Sequence, residues 1–467
     1  MPGTNVRLVR RFLAGIAIGG LACSALGQGT SVPPANAGEP AAAAPAAAPA
    51  FLPATDAPLL ACSDRWPVRA FRTAGDIQGA IVPWDVKVSW LLPRFTRMTD
   101  PGPTELDLAD ARALDADQQS EVVLEGPHSV VFREGTAEEA QDKGFGWGPG
   151  RAAGPDASLV FRFVSGTQRN AGNTGGTPRL QIQRTWFAYY DPVAPRRRRN
   201  RERNDAPTEA PKAKGIVLVM PGLYGTPEPT FDALIRRLRE SEMGVLRMLA
   251  QPSRFTERVS IEIDPEKLEE NAAKIAEILG DRAAECGLAA QAAWKYLEEQ
   301  RPDLAELPRA IMGASAGAMT LPTVVAREPE KYAACVLVGG AADFWLIARR
   351  SSYKGDASSI DISVKGFDTP PGEDDAAIDW QAFDRMYLDR AAFDSFHTAG
   401  SMRGKRVLVL QGLMDTAVPA PLGEVLWERL GRPERWDYPT GHEGLIIEML
   451  PRDTTKLIEW LRESGLK

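Results

Sequence analysis

RAIMGASAGAMTLPTVVAR, residues 309–327, is the stretch on which the reading of this chain turns. Arg309-Ala310-Ile311-Met312 is a short apolar run of the kind that forms a buried strand, and Met319 to Arg327 has the composition of a helix. Between them lies Gly313-Ala314-Ser315-Ala316-Gly317, a G-x-S-x-G pentad. A serine pinched between strand and helix occupies a strained turn that only small flanking residues tolerate, and the turn holds its hydroxyl out at the top of the sheet. That placement suits a nucleophile. A Gly-rich turn with an ordinary serine in it is the competing reading.

Working outward, the chain has 467 residues, enough for two or three domains or for one large α/β domain with insertions. Its 44% hydrophobic and 25% charged residues are those of a globular protein, and a net charge of −7 gives no reason to expect nucleic acid as a partner. Arg7, Arg10 and Arg11 precede an apolar run from Phe12 to Ala22. This is the pattern of an export signal over 1–27, too short to span a bilayer, so a secreted or periplasmic location is expected. Ala25-Leu26-Gly27 and Ala35-Asn36-Ala37 are candidate cleavage sites, while Leu21-Ala22-Cys23 weakly resembles a lipoprotein box that would anchor the chain through Cys23. Residues 28–62, dominated by Ala and Pro, read as a disordered linker.

Residues 63–178 read as a β-rich N-terminal region, with candidate strands at Ala80 to Val82, Val86 to Trp90, Ser129 to Arg133 and Leu159 to Val164. A long strand is expected at Leu180 to Tyr190, followed by the basic run Arg196 to Arg203, taken as a solvated loop. From Gly215 strands and helices alternate. Strands are expected at Ile216 to Met220, Val245 to Leu249, Arg309 to Met312, Ala334 to Val338, Val407 to Leu410 and Arg435 to Tyr438. Helices are expected at Phe231 to Glu240, Pro265 to Gln300, Met319 to Arg327, Pro421 to Leu430 and Thr455 to Leu461. Such alternation predicts a mostly parallel sheet covered by helices on both faces, with the ligand site at the carboxyl ends of the strands.

The chemistry-bearing residues fall at those ends. A serine needs a base to take its proton, usually a histidine oriented by a carboxylate. Only His128, His397 and His442 are available. His442 follows the strand Arg435 to Tyr438, and Asp415 follows the strand Val407 to Leu410, so the chain order is Ser315, Asp415, His442. Asp343, just after Ala334 to Val338, is the alternative acid, and His397 the alternative base. Pro221-Gly222-Leu223-Tyr224-Gly225 directly follows the strand Ile216 to Met220, where Leu223 N–H and Ala316 N–H would serve as oxyanion-hole donors. Cys23, Cys62, Cys286 and Cys335 form neither a disulfide framework nor a metal-ligand spacing, and Cys335 reads as a small buried hydrophobe. No metal or cofactor site is expected.

On the pentad, the Pro221 to Gly225 loop, the Asp415 turn and the His442 loop, residues 180–467 resemble the α/β-hydrolase superfamily. The resemblance implies an α/β-hydrolase fold over 179–467 and a Ser–His–Asp enzyme working through an acyl-enzyme without metal or organic cofactor. The Pro221 loop departs from the HGGG pattern of some lipases and esterases. A serine hydrolase of carboxylic esters, on a small-molecule or polymer-borne substrate, is the expectation; a peptidase, a thioesterase or a non-catalytic binding module on the same fold are the alternatives. The aromatic-rich insertion 341–404 is either a cap over Ser315 or ordinary core.

Overall fold

The computed structural model describes residues 51–61, 79–84, 105–107, 157–169, 179–194, 211–223, 228–249, 251, 259–353, 359–368, 370–372 and 378–466. The expected export signal with Cys23, the strands Val86 to Trp90 and Ser129 to Arg133, His128, the basic run 196–203, Tyr224 and Gly225 lie outside them.

One large sheet organises residues 50–467. Its strands are β1 (Gly79–Trp84), β2 (Glu105–Asp107), β3 (Leu159–Arg169), β4 (Arg179–Tyr190), β5 (Gly215–Met220), β6 (Met243–Met248), β8 (Arg309–Ala314), β9 (Ala334–Val338), β11 (Arg406–Gly412) and β12 (Glu434–Tyr438). They are ordered β1-β3-β4-β6-β5-β8-β9-β11-β12, with β2 on β4. The six strands from β6 to β12 are mutually parallel, whereas β4 runs antiparallel to both β3 and β6. The β-rich region expected before residue 179 therefore contributes strands to the main sheet rather than a separate one. A second, two-stranded parallel sheet pairs β7 (Val259–Ile263) with β10 (Ile360–Val364).

Every residue of β5, β6, β8 and β9 is buried, because helices cover both faces. The period-2 alternation divides each strand between two cores. In β5, Ile216, Leu218 and Met220 face one core while Val217 and Val219 face the other. The first core is closed by α2 (Leu268–Gln300), α3 (Ala316–Arg327), α4 (Phe344–Arg350), α5 (Trp380–Leu388) and α6 (Ala420–Arg429). The second is closed by α1 (Glu228–Glu240) and α7 (Thr454–Glu463). Helix α2 is the longest and turns Ile275, Leu279, Ala283, Cys286 and Ala290 inward; burying a Leu or Ile side chain fully is worth about 1.5–3 kcal/mol. No described helix is long and apolar enough to cross a membrane.

Residues 51–61, inside the linker expected over 28–62, lie against the body instead. Arg429 donates from Nη1 to the carbonyls of Thr55, at 2.9 Å, and Ala57, and Arg350 donates to Phe51 O at 2.7 Å. Two guanidinium groups thus supply the partners that an Ala/Pro-rich segment cannot supply for itself.

Candidate active site

Strand β8 ends at Ala314 and α3 begins at Ala316, leaving Ser315 alone in the turn with φ 54° and ψ −121°. A non-glycine residue rarely adopts positive φ, and strain of this kind costs about 1–3 kcal/mol unless the surroundings enforce it. Here they do. Ser315 N–H donates to Val338 O of the neighbouring strand at 2.8 Å, and Ser315 O accepts from Met319 N–H at 2.9 Å to open the helix. The two pentad glycines have distinct reasons. A Cβ at Gly313 would lie 2.4 Å from Gly317 O, across the elbow itself; one at Gly317 would lie 2.7 Å from both Met220 O and Pro221 O. The first glycine closes the turn, and the second lets the helix start settle on the loop after β5.

Ser315 Oγ stands 2.9 Å from His442 Nε2, and His442 Nδ1 stands 2.6 Å from Asp415 Oδ2. An ionised carboxylate only accepts, so Nδ1 carries the ring proton and donates it to Asp415, leaving Nε2 as the acceptor for the Ser315 hydroxyl. The other oxygen of Asp415 accepts from Val418 N–H at 2.8 Å, and the Asp415 side chain is fully buried. The turn carrying Asp415 is tied to the turn carrying His442 by Leu413 N–H to Tyr438 O and Met414 N–H to Thr440 O. Asp415 and His442 are therefore held together by backbone bonds as well as by their own contact. Tyr353 sets its ring edge-on to the imidazole at 6.2 Å and 89°, and its hydroxyl donates to Glu443 Oε1.

Ser315 opens onto a cavity of about 110 Å³ whose walls are mostly apolar, including Leu279, Met319, Phe344, Ile347 and Val418. Leu223 and Ala316 both line it. Ala316 is the first residue of α3, where backbone N–H groups have no partner within the helix. A tetrahedral oxyanion formed at Ser315 would find those donors on its own side of the cavity.

The alternatives weighed from sequence fall elsewhere. Asp343, with φ 68°, is the N-cap of α4: its Oδ1 accepts from Leu346 N–H at 2.9 Å. It faces Asp384 and Asp394 rather than His442. His397 accepts from Leu60 N–H at Nδ1, 3.0 Å away, and its Nε2 donates to Leu388 O at 2.8 Å, so it fastens the 51–61 segment. The aromatics of 341–404 divide between the two readings. Phe344 and Tyr353 line the cavity, while Trp345, Trp380 and Phe383 pack on one another in the core, ring centroids 5.0–6.1 Å apart. Tyr353, one of the aromatics of the expected cap, does line the cavity, whereas Gln251 is a residue of the site's surroundings that the sequence reading did not name; its signal is its position just beyond the carboxyl end of β6.

No protein-family model and no curated protein matches the chain. Among solved structures, the chain is similar to the esterase Pf2001 of Pyrococcus furiosus, with 12% identity and a TM-score of 0.37 over 65% of this chain and 93% of that one. It is similar to Est1E from Butyrivibrio proteoclasticus, with 15% identity and a TM-score of 0.36 over 65% and 99% of the two chains. An acylaminoacyl peptidase of Pyrococcus horikoshii gives 11% identity and a TM-score of 0.36 over 65% of this chain and 47% of that one. At these values the likenesses carry no weight of their own. The parallel run β6-β5-β8-β9-β11-β12, the antiparallel β4 beside it and the strained serine between β8 and α3 together give the chain an α/β-hydrolase fold.

Proposed function

We propose that the protein is an exported serine hydrolase that cleaves carboxylic esters, with Ser315 as nucleophile, His442 as general base and acid, and Asp415 as the group that orients the imidazole. The contact series Ser315 Oγ to His442 Nε2 at 2.9 Å and His442 Nδ1 to Asp415 Oδ2 at 2.6 Å carries this reading.

As the Ser315 Oγ–C bond forms at the ester carbonyl, the hydroxyl proton passes to His442 Nε2, and Asp415 stabilises the imidazolium. The carbonyl oxygen becomes an oxyanion facing Leu223 N–H and Ala316 N–H, each such donor being worth about 2.7–4 kcal/mol. Collapse breaks the C–O bond to the alcohol, which leaves with the proton from Nε2, and Ser315 is left acylated. Water then repeats the sequence, giving its proton to His442 and returning Ser315 with release of the acid. The apolar walls of the cavity favour a hydrocarbon acyl group of modest size over a charged one. The segment 341–404 would act as a cap through the residues it lends to that cavity.

A panel of p-nitrophenyl esters of graded acyl length, run beside aminopeptidase substrates, tests the reading. Turnover of short and medium esters above amides, abolished in Ser315→Ala, is expected. Cleavage of the aminopeptidase substrates alone would replace the ester reading with a peptidase. Export is tested by the mature N-terminus recovered from culture: it should begin after the 1–27 segment, or at a lipidated Cys23 if the chain is anchored.

A further inference from the structure

Behind the site lies a line of buried polar side chains that the reaction scheme does not use. Strand β5 ends at Met220, and Pro221, the first residue of the oxyanion loop, turns its carbonyl inward, where Gln251 Nε2 donates to it at 2.6 Å. Gln251 comes from beyond the end of the neighbouring strand β6 and is only 1% exposed. Its other amide atom, Oε1, accepts from the Cys286 thiol of α2 at 3.3 Å. The Pro221 carbonyl can only accept, so the amide has one workable orientation: turned over, it would set two acceptors against each other.

The line continues to the nucleophile. The Cys286 thiol also touches the hydroxyl of Thr320, and Thr320 Oγ1 donates to Ala316 O at 3.0 Å, within the first turn of α3. Cys286 and Thr320 are both fully buried, and burial pushes the thiol's pKa far up, so the thiol keeps its proton and stays a donor. On the opposite side, Pro221 O lies against Gly317, where no side chain would fit. The loop bearing Leu223 is thus pressed on the helix bearing Ala316 and tied through Gln251 to Cys286 of α2.

We propose that Gln251 is a positioning residue for the oxyanion hole, holding the Pro221 carbonyl so that Leu223 N–H keeps its place opposite Ala316 N–H. The proposal rests on the serine-hydrolase reading above. Gln251 touches neither substrate nor reacting atoms. Its effect runs through the loop: a displacement of about 1 Å of a catalytic donor costs up to about 100-fold in rate, and outright loss of a donor costs about 10²–10³-fold.

The test measures kcat and KM on p-nitrophenyl butyrate, and the affinity of an alkyl boronic acid as tetrahedral mimic, for wild type, Gln251→Leu and Gln251→Glu. Both variants are expected to lose about 10- to 100-fold in kcat with KM little changed, and to lose boronate affinity in the same ratio. Cys286→Ser, which keeps a donor toward Oε1, should stay near wild type, and Cys286→Ala should fall several-fold in kcat. Folded Gln251 variants with wild-type kcat would overturn the proposal, as would a loss confined to KM. If neither Gln251 variant folds, the cysteine pair decides: equal kcat in Cys286→Ser and Cys286→Ala overturns it. Fluorophosphonate labelling of the wild type separates the two levels. An unlabelled wild type sinks the hydrolase reading and this proposal with it; a labelled wild type with indifferent Gln251 variants sinks the positioning role alone.

Discussion

Asp415 and Asp343 lie just past the carboxyl ends of two paired strands, β11 and β9, and share almost everything except a neighbour. Both are buried. Both spend one carboxylate oxygen on the backbone N–H three residues ahead, Val418 for one and Leu346 for the other. The second oxygen separates them. At Asp415 it meets the proton of His442; at Asp343, Oδ2 meets no N–H among the described residues and faces the Asp384 carboxyl instead. Burial and the charges of Asp384 and Asp394 push the Asp343 carboxyl well above the usual range. Capping a turn is common to both aspartates. Only the one that looks across at an imidazole can orient a base.

The most severe way to break this comparison is to neutralise each carboxylate in turn. Asp415→Asn should lower kcat by about 10⁴, because an amide permits the wrong imidazole tautomer. Asp343→Asn, which keeps an oxygen for Leu346 N–H, should leave kcat close to wild type. Equal losses at the two sites, measured on the same ester, would undo the assignment of the acid.

A second prediction sharpens the comparison through pH. Burial, with the charge of Asp394, lifts the Asp384 carboxyl to about 6 against the favourable charges of Arg350 and Arg385, whereas the unfolded chain releases that proton near 3.8. Between these values the folded protein holds a proton that the unfolded chain has lost. Stability contributed by Asp384 is therefore complete below about 4 and lost as pH rises toward about 6. Denaturant melts of Asp384→Asn at pH 4, 5 and 6 should show a shallower fall than wild type. An unchanged slope would mean that Asp384 holds no extra proton over this range.

The third and smallest effect concerns the backbone. Ser315 and Asp343 share a positive φ, 54° and 68°. At Ser315 the one side-chain contact is the hydroxyl's with His442, which Gly and Ala both lack. Ser315→Gly should therefore be more stable than Ser315→Ala by about 1 kcal/mol, strain relief outweighing the added freedom of the unfolded chain, while both are inactive. Asp343→Gly should gain nothing, because it gives up the cap to Leu346. Melting temperatures of the four proteins, including wild type, decide the matter.

Much of the central sheet was legible because its strands are continuous apolar runs bounded by turn residues: Ile216 to Met220, Ala334 to Val338 and Val407 to Leu410 lie within two residues of the observed ends. The small sheet of Val259–Ile263 and Ile360–Val364 was not. Each strand is five residues of mixed polarity, and only its pairing with a partner about a hundred residues away makes it a strand. The positions of Ser315, Asp415 and His442 at strand ends could be read from the chain, and Asp415 was preferred to Asp343 there, although both follow strands. Side-chain direction supports that preference, and it depends on the left-handed turn that swings Asp343 into α4. Gln251 escaped notice for a similar reason: a lone glutamine has no periodicity, and its meaning lies in reaching Pro221 and Cys286 at once.

Ser315 as the nucleophile is the claim on which the rest depends. Treating the wild-type protein with a fluorophosphonate and mapping the adduct by peptide mass spectrometry tests it directly. A single adduct on the Ser315 peptide, absent in Ser315→Ala and strongly slowed in His442→Ala, is the predicted result; no adduct, or one on another residue that persists in Ser315→Ala, would contradict it.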